Sequence, residues 1–393
     1  MYVNSKFLPK NYIKCSKSIL DNISDPDIIY DENGISNYYF EFEKFINKLP
    51  DEETRNNQFK KYINKIKQSG KGKKYDCVLG LSGGLDSSYL ALLAKDNGLN
   101  PLVVHFDYGW NTDIAIRNIE LITKKLGFDL YTYVIDWEMI KDLQRSYYLA
   151  SVVDLDVPAD HTIFGAIFKI AAKMNIKYIL SGSNFQSELI MPKSWNYLKT
   201  DLTNIKNIQK KFGRKKLSNI PTNGIFQQLY YKFIGIESVP LLYFTDYVKN
   251  DVTNRLEKEL GWQDYGGKHF ENIFTRFYQG YVLPYKFGID KRKAHLSNLI
   301  FSNQITLEEA QFHFDNNKYN LSMMQSDMEF VAKKLDFSLD EFKVILDQDN
   351  VDHEFYGTDF NQRNLLFKLI NTLTFGFKSE LLRSKILRQQ LND

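Results

Sequence analysis

Tyr75 to Leu93, YDCVLGLSGGLDSSYLALL, constrains the fold more than any other stretch of the 393-residue chain. An apolar run carrying Val78, Leu79 and Leu81 stops at Ser82-Gly83-Gly84, and a helical pattern with Leu85, Tyr89, Leu92 and Leu93 starts at once. That order reads as strand, glycine turn, helix. Two glycines let the backbone approach a ligand closely. Successive N–H groups and the positive end of the helix dipole then make a concavity suited to phosphate. Hydroxyls of Ser82, Ser87 and Ser88 add donors, and Asp86 can cap the helix or hold a metal bound to the phosphates.

The turn alone does not fix the chemistry. A Walker loop needs a Lys where this chain has Leu85-Asp86, and Gly80, Gly83 and Gly84 do not supply the dinucleotide fingerprint G-x-G-x-x-G. Gly80-Leu81-Ser82-Gly83-Gly84 does satisfy the short G-x-S-x-G pattern of a hydrolase nucleophile elbow, with Ser82 as the nucleophile. Ser82-Gly83-Gly84-Leu85-Asp86-Ser87 also resembles the SGGxDS pyrophosphate loop, or PP-loop, of the ATP pyrophosphatase superfamily. Members of that superfamily cleave ATP between the α and β phosphates and pass AMP to an oxygen on the substrate.

Composition narrows the classes. A net charge of +3, from 51 basic and 48 acidic residues, is too balanced to mark a nucleic-acid binder. Cys15 and Cys77 are the two cysteines, which fits a reducing compartment and no disulfide framework. The N-terminal MYVNSKFLPKNYIK lacks an apolar h-region, and no run approaches the length that spans a bilayer. The expectation is a soluble, cytoplasmic protein that engages neither membrane nor nucleic acid.

Residues 1–70 show no strong periodicity and end in the basic, glycine-bearing stretch Lys65 to Lys74, read as a linker. Residues 71–200 alternate strand and helix. Apolar runs at Asp76–Leu81, Pro101–Phe106, Leu130–Ile135 and Tyr178–Leu180 are separated by helical patterns beginning near Asp86, Thr112 and Ala159. This predicts an α/β fold with a parallel, doubly wound sheet. Ligands of such sheets sit outside the carboxyl ends of the strands, which directs attention to Ser82, Asp107, Asp136 and Ser181-Gly182-Ser183-Asn184. Asp107 is either an ordinary turn residue or a contact to ribose or adenine. The Ser181–Asn184 segment is either a polar turn or a second phosphate or adenylate contact. His161, after Pro158-Ala159-Asp160, is a cap, a core residue or a base.

From residue 201 to about 310 the chain is rich in cations, aromatic rings and Asn. Lys210 to Lys216 is a basic cluster, either a solvated helix face or a device that steers an anionic substrate. After about Phe301 the chain changes character, with Ser/Thr-x-x-Glu capping boxes at Thr306 and at Ser338, and residues 311–393 read as a helical C-terminal region.

Read with the SGGLDS loop, the run YGGKHFENIFTRFYQGYVLPYKFGIDKRKAHLS from Tyr265 to Ser297 resembles the signature of the bacterial N-acetyl sugar amidotransferase family, which works in lipopolysaccharide and flagellin-glycan pathways. The resemblance extends from about Cys15 to the region of Ala310. It implies a sheet of the adenine nucleotide alpha hydrolase-like type with an N-terminal extension. It further implies conversion of an acetamido group, often on a nucleotide-linked sugar, to an acetamidino group with ATP, Mg²⁺ and ammonia. The ammonia usually comes from a separate glutaminase, through a partner resembling a histidine-pathway cyclase. On this reading the loop Ser82 to Ser88 with Asp107 and Ser181 to Asn184 binds ATP, Asp86 lies near Mg²⁺, and Lys291 or Arg292 meets developing charge. Lys268, His269 and Arg276 are candidates for substrate phosphate or carboxylate, Lys199 is a further substrate-binding candidate, and His161 or His269 is the candidate base.

One departure stands out. The family carries two CxxC pairs that look like a zinc knuckle, whereas this chain keeps Cys15 alone, with Ser18, Ser36 and Tyr39 at the other three positions, so no zinc is expected. Two rival readings remain at this level. One is another adenylating enzyme of the superfamily, such as a tRNA-modifying sulfurtransferase; the other is a serine hydrolase using Ser82.

Overall fold

Cys77 and Leu79 alternate with Val78, so a strand built from them has apolar side chains to bury on both faces. In the computed structural model, which describes residues 7, 9–316 and 318–373 and side chains as far as residue 366, β1 (Cys77–Gly80) is the middle strand of a five-stranded parallel sheet. β2 (Pro101–Asp107) and β3 (Leu130–Val134) lie on one side of it, β4 (Tyr178–Ser181) and β5 (Glu237–Pro240) on the other. The first four match the apolar runs read from the sequence. The fifth is an unexpected edge strand, ESVP, which buries only Val239 and ends on a proline that an edge tolerates. Chain order reverses between β1 and β4, so the loops after these two strands flank a topological switch point.

Helices α1 (Asn37–Ile46) and α2 (Glu52–Gly70) precede the sheet; α3 (Leu85–Asp96), α4 (Asp113–Leu126), α5 (Trp137–Ala150) and α6 (Val157–Lys173) connect the strands as far as β4. The single turn α7 (Phe185–Glu188), then α8 (Leu202–Phe212) and α9 (Ile225–Phe233), lead to β5, and α10 (Lys249–Leu260) follows it. Leu79, Val103, Leu180 and Val239 pack with α2, α3, α4 and α10 on one face. Val78, Val104 and Ile179 pack with Ile167 and Ile170 of α6 and Tyr231 of α9 on the other. The sheet is therefore doubly wound.

Two local expectations change. α2 continues through Gly70 and buries Ile63 and Ile66, so the first half of the stretch read as a linker is helix. Asp136 is no site residue: it caps α5, accepting from the Met139 N–H at 3.1 Å.

The rest of the described residues, as far as residue 373, are mainly helical. α11 (Ile273–Phe277) runs directly into a π-helix at Tyr278–Phe287, followed by α12 (Lys291–Phe301), α13 (Leu307–Asp315), α14 (Leu321–Lys334), α15 (Leu339–Asp347) and α16 (Phe360–Leu373). Both capping boxes form, at Thr306 with Glu309 and at Ser338 with Glu341. α11, the π-helix, α14 and α15 share a second core with α5 and α8. The N-terminal segment joins that body through a buried Lys293–Asp21 ion pair and through Trp195, whose Nε1 donates to the Ser24 carbonyl at 2.8 Å. There the Cys15 Sγ accepts N–H bonds from Lys17 and Ser36, both at 3.4 Å. Among the described residues no cluster of three His, Cys, Asp or Glu side chains is arranged for a metal, and no helix is long and apolar enough to cross a membrane.

His161, a candidate base from sequence, is a structural residue instead. Its ring is fully buried on α6, Nδ1 donates to the Lys199 carbonyl at 2.8 Å, and Nε2 accepts from the Asn223 N–H at 3.1 Å. With both nitrogens engaged, no lone pair is left for catalysis. Burial lowers its pKa from 6.5 to about 4, so between those values the unfolded chain binds a proton that the folded chain refuses. Its contribution to stability is therefore lost as pH falls through that window. Compared with His161→Gln in denaturant titrations, the wild type should lose relative stability at roughly 1.4 kcal/mol per pH unit there; a pH-independent difference would contradict the assignment.

Candidate active site

The loop after β1 takes its shape from one close approach. Gly83 has φ +81°, and a Cβ there would lie 2.6 Å from the Ala115 carbonyl oxygen in the first turn of α4, so only glycine fits. Its own carbonyl accepts from Trp262 Nε1 at 2.9 Å and Asn118 Nδ2 at 3.4 Å. Gly84 is the N-cap of α3, which begins at Leu85, and the Gly84 N–H donates to Ser82 Oγ at 3.2 Å. The hydroxyls of Ser82 and Ser87 lie 3.1 Å apart at this helix N-terminus. Ser88, expected among the phosphate contacts, is fully buried, and its hydroxyl donates to the Gly84 carbonyl at 2.6 Å; it braces the loop from behind. Among the described residues no histidine bonds to Ser82, so the hydrolase reading lacks its base.

Across the switch point, the β4 end contributes Ser181, Gly182, Ser183 and Asn184. The Ser181 and Ser183 hydroxyls are 3.0 Å apart, and Gly182 sits beside the Asp86 backbone. Asn184 is fully buried; its Oδ1 caps α7 through the Ser187 N–H at 2.9 Å, and its Nδ2 donates to Asp86 Oδ1 at 3.3 Å. Tyr247 donates to the same carboxylate oxygen. Burial pushes the Asp86 carboxyl up, with Glu188 adding to it and Lys268 and Tyr247 opposing. Lys268 Nζ bonds Glu188 Oε1 at 2.7 Å. Magnesium is commonly bound through one or two carboxylates plus substrate phosphates, and Asp86, beside the loop, meets that requirement. Asp107 does not serve here: its Oδ1 accepts from the Gly109 N–H at 3.0 Å in a tight turn, while the flanking Phe106 and Tyr108 line the cavity.

Below the loop lies a cavity of about 550 Å³ with two unlike halves. One half, against the strand ends and α6, is apolar, with Leu81, Phe106, Ile163, Ile167 and Ile179. The other is charged and is built from Asp156, Asp160, Asn196, Lys199, Thr275 and Lys291. Ser82, Glu188, His269, Glu271 and His295 also line it. Lys199 Nζ sits 2.7 Å from both oxygens of the fully buried Asp154 and 3.1 Å from Asp160. Lys291 Nζ donates to Asn196 Oδ1 at 2.7 Å, and burial lowers its pKa, with Lys199 adding and Asp154 opposing. Burial and Asp160 raise the Asp156 carboxyl to about 6, and Thr275 Oγ1 donates to it at 3.1 Å.

Two arginines singled out from the sequence are engaged elsewhere. Arg276 forks onto Asp327 of α14 at 2.9 and 2.6 Å, and Arg292 onto the buried Asp290 at 3.0 and 2.6 Å. Neither lines the cavity, so the substrate role of Arg276 and the catalytic role of Arg292 are withdrawn in favour of helix anchoring. Asp154, Asp156, Asn196, Glu271 and His295 were not singled out. DLDVPAD at Asp154–Asp160, three acids opening a helix, was the available signal for the first two.

Residues 271–373 match the family model described as LPS biosynthesis protein WbpG-like, C-terminal domain. Residues 76–165 match the model for queuosine biosynthesis protein QueC. Among curated proteins, an uncharacterized protein of Methanocaldococcus jannaschii is 38% identical over 65 residues, which is 16% of this chain and 22% of that protein. The tRNA(Ile)-lysidine synthase of Chlamydia pneumoniae is 36% identical over 72 residues, 17% of this chain and 23% of that one. The chain thus spans less than a quarter of the length of either curated relative. Among solved structures, NMN synthetase from Francisella tularensis is 15% identical with a TM-score of 0.34, over 71% of this chain and 93% of that chain. The NH3-dependent NAD synthetase of Campylobacter jejuni is 17% identical with a TM-score of 0.29, over 53% and 85%. The chain thus carries a QueC-like domain with a PP-loop, followed by a WbpG-like C-terminal domain.

Proposed function

We propose that this protein is an ATP-dependent sugar amidotransferase of surface-polysaccharide or flagellin-glycan biosynthesis. It adenylates the acetamido oxygen of an N-acetyl sugar, presented as a nucleotide-activated one, and replaces that oxygen with nitrogen from ammonia. The observation that carries the reading is the cavity itself. Its PP-loop and Leu81, Phe106 and Ile163 of its apolar half come from the QueC-like match, and Glu271, Thr275, Lys291 and His295 come from the WbpG-like match.

An amide carbonyl is a weak electrophile and its oxygen a poor leaving group. Attack of that oxygen on the α phosphate, with pyrophosphate departing, yields an O-adenylyl imidate from which AMP leaves when ammonia adds. Positioning and charge neutralisation then dominate. The N–H groups of Ser82 to Leu85 and the hydroxyls of Ser82 and Ser87 serve the pyrophosphate, and Mg²⁺ at Asp86 would screen phosphate charge. Lys291 stabilises charge on the adenylyl group, while Lys199, already shared by two carboxylates, and Asn196 hold the sugar through its hydroxyls. Ammonia would be delivered by a separate glutaminase and cyclase-like pair. The sulfurtransferase rival needs a reactive thiol, and Cys77 is buried in β1 with its pKa pushed well up by burial.

Incubation with ATP, Mg²⁺, ammonium and a panel of nucleotide-activated N-acetyl sugars should give AMP, pyrophosphate and a sugar whose oxygen has been exchanged for NH. ADP formation, or turnover only with tRNA, would reject the reading. Lys291→Met should lower kcat/KM by about a hundredfold. Arg292→Met should leave kcat/KM of the folded enzyme within about threefold while lowering the unfolding midpoint, because Asp290 is then buried unpaired. Equal losses of activity would contradict the assignment.

A further inference from the structure

Glu271 and His295 bring to the cavity wall two acceptor atoms that no described residue satisfies. Glu271 Oε2 and His295 Nε2 are both buried without a hydrogen-bond partner among the described residues, and both side chains line the cavity. Burying an acceptor unpaired is unfavourable, so such atoms mark a place where a ligand supplies the donors. The His295 ring is fixed by Nδ1, which faces the Ser187 carbonyl at 3.2 Å. That bond puts the proton on Nδ1 and leaves Nε2 as an acceptor. Burial, with Lys268, His269 and Lys291 nearby, keeps the ring uncharged.

Both residues flank His269. Its Nδ1 is 3.7 Å from Glu271 Oε1, its ring centroid is 6.0 Å from that of His295, and its backbone is held at φ +67°, a conformation uncommon for a non-glycine residue. Glu271 also reaches the phosphate loop: its Oε1 lies 3.8 Å from where a Cβ on Gly84 would stand. Glu271 therefore stands beside the phosphate loop, and His295 lines the same cavity. A small molecule with several N–H donors on one atom suits such a pair better than a sugar hydroxyl or the single N–H of an acetamido group.

We propose that Glu271 and His295 form the receiving site for the nitrogen nucleophile, an uncharged ammonia. This rests on the amidotransferase reading. The two acceptors take one N–H each, which leaves the nitrogen lone pair free to face the imidate carbon. As the C–N bond forms, the added nitrogen becomes an ammonium, one of its protons passes to the Glu271 carboxylate, and the C–O bond breaks with its electron pair leaving on AMP. The product is a neutral amidine, which becomes the amidinium by taking a proton from solvent, and Glu271 later releases its own proton to solvent. His295 holds the nucleophile and is not asked to take a proton.

Steady-state kinetics with ammonium, sugar and ATP varied in turn test this. Glu271→Met and His295→Asn should each raise the KM for ammonium by about tenfold or more, and those for sugar and ATP by less than about threefold. His295→Gln, whose amide reaches the Nε2 position, should recover part of the loss. A rise in the KM for sugar instead, or equal rises in all three, would overturn the proposal by assigning the acceptors to the acetamido N–H or to the fold. Methoxyamine, uncharged at neutral pH and carrying two N–H donors, gives a readout without turnover. Its methyl NMR line should broaden with the wild type and much less with Glu271→Met, and equal broadening would overturn the site. Should the wild type form no AMP with any sugar, the amidotransferase reading fails by itself, and the methoxyamine titration still decides whether the site exists.

Discussion

Gly83 lies against the backbone of Ala115, and that contact positions both sides of the cavity. It brings the phosphate loop onto the first turn of α4, with the Gly83 carbonyl held by Trp262 and Asn118. The same Asn118 bonds both the N–H and the carbonyl of Gln263, at 3.0 and 2.9 Å. Thr112, the N-cap of α4, donates its N–H to the Glu271 carbonyl at 2.9 Å, and the Ile273 N–H donates to the Trp110 carbonyl at 2.9 Å. The segment carrying Lys268, His269 and Glu271 is thus tied at both ends to the helix that shapes the loop. A side chain at position 83 would disturb both.

Charges in the cavity are placed at a cost that folding alone does not require. Asp156 and Lys291 at the cavity wall and Asp154 behind it are buried, and Lys199 is largely so; buried ion groups commonly stabilise a fold less than apolar residues of the same volume. Their number is better matched to a polar, charged ligand, for which the protein supplies fixed dipoles in advance. The pairs Arg276–Asp327, Arg292–Asp290 and Lys293–Asp21 differ in kind. Each is closed within the protein and links α11 to α14, α12 to its own N-cap, or α12 to the N-terminal segment.

Legibility followed physical locality. Strands β1, β2 and β4 were readable because a buried strand is a continuous apolar run; β3, largely exposed at the sheet edge, was readable from the β-prone side chains of Leu130–Ile135, and β5, with one buried residue, carries no such signal. The glycine turn was readable because its chemistry lies within six consecutive residues. Cationic side chains in the run from Tyr265 to Ser297 were not: Lys291 and Arg292 are neighbours in sequence, yet one reaches into the cavity and the other folds back on Asp290. That choice is made by Asn196 and Asp290, and nothing in the spacing of a charged run records it. Asp107 and Ser88 misled for a similar reason, since a turn and a helix back-bond use the same residue types as a nucleotide contact. Glu271 and His295 became visible only through atoms left unsatisfied, which is a property of packing.

The central claim is that the acetamido oxygen itself attacks the α phosphate. It is tested most directly with a substrate sugar labelled with ¹⁸O in the acetamido group, incubated with ATP, Mg²⁺ and ammonium, and with AMP examined by mass spectrometry. One labelled oxygen in each AMP, with none in pyrophosphate, is the predicted result. Unlabelled AMP, with the label kept in the sugar or released to water, would show that the oxygen leaves by another route and would contradict the account.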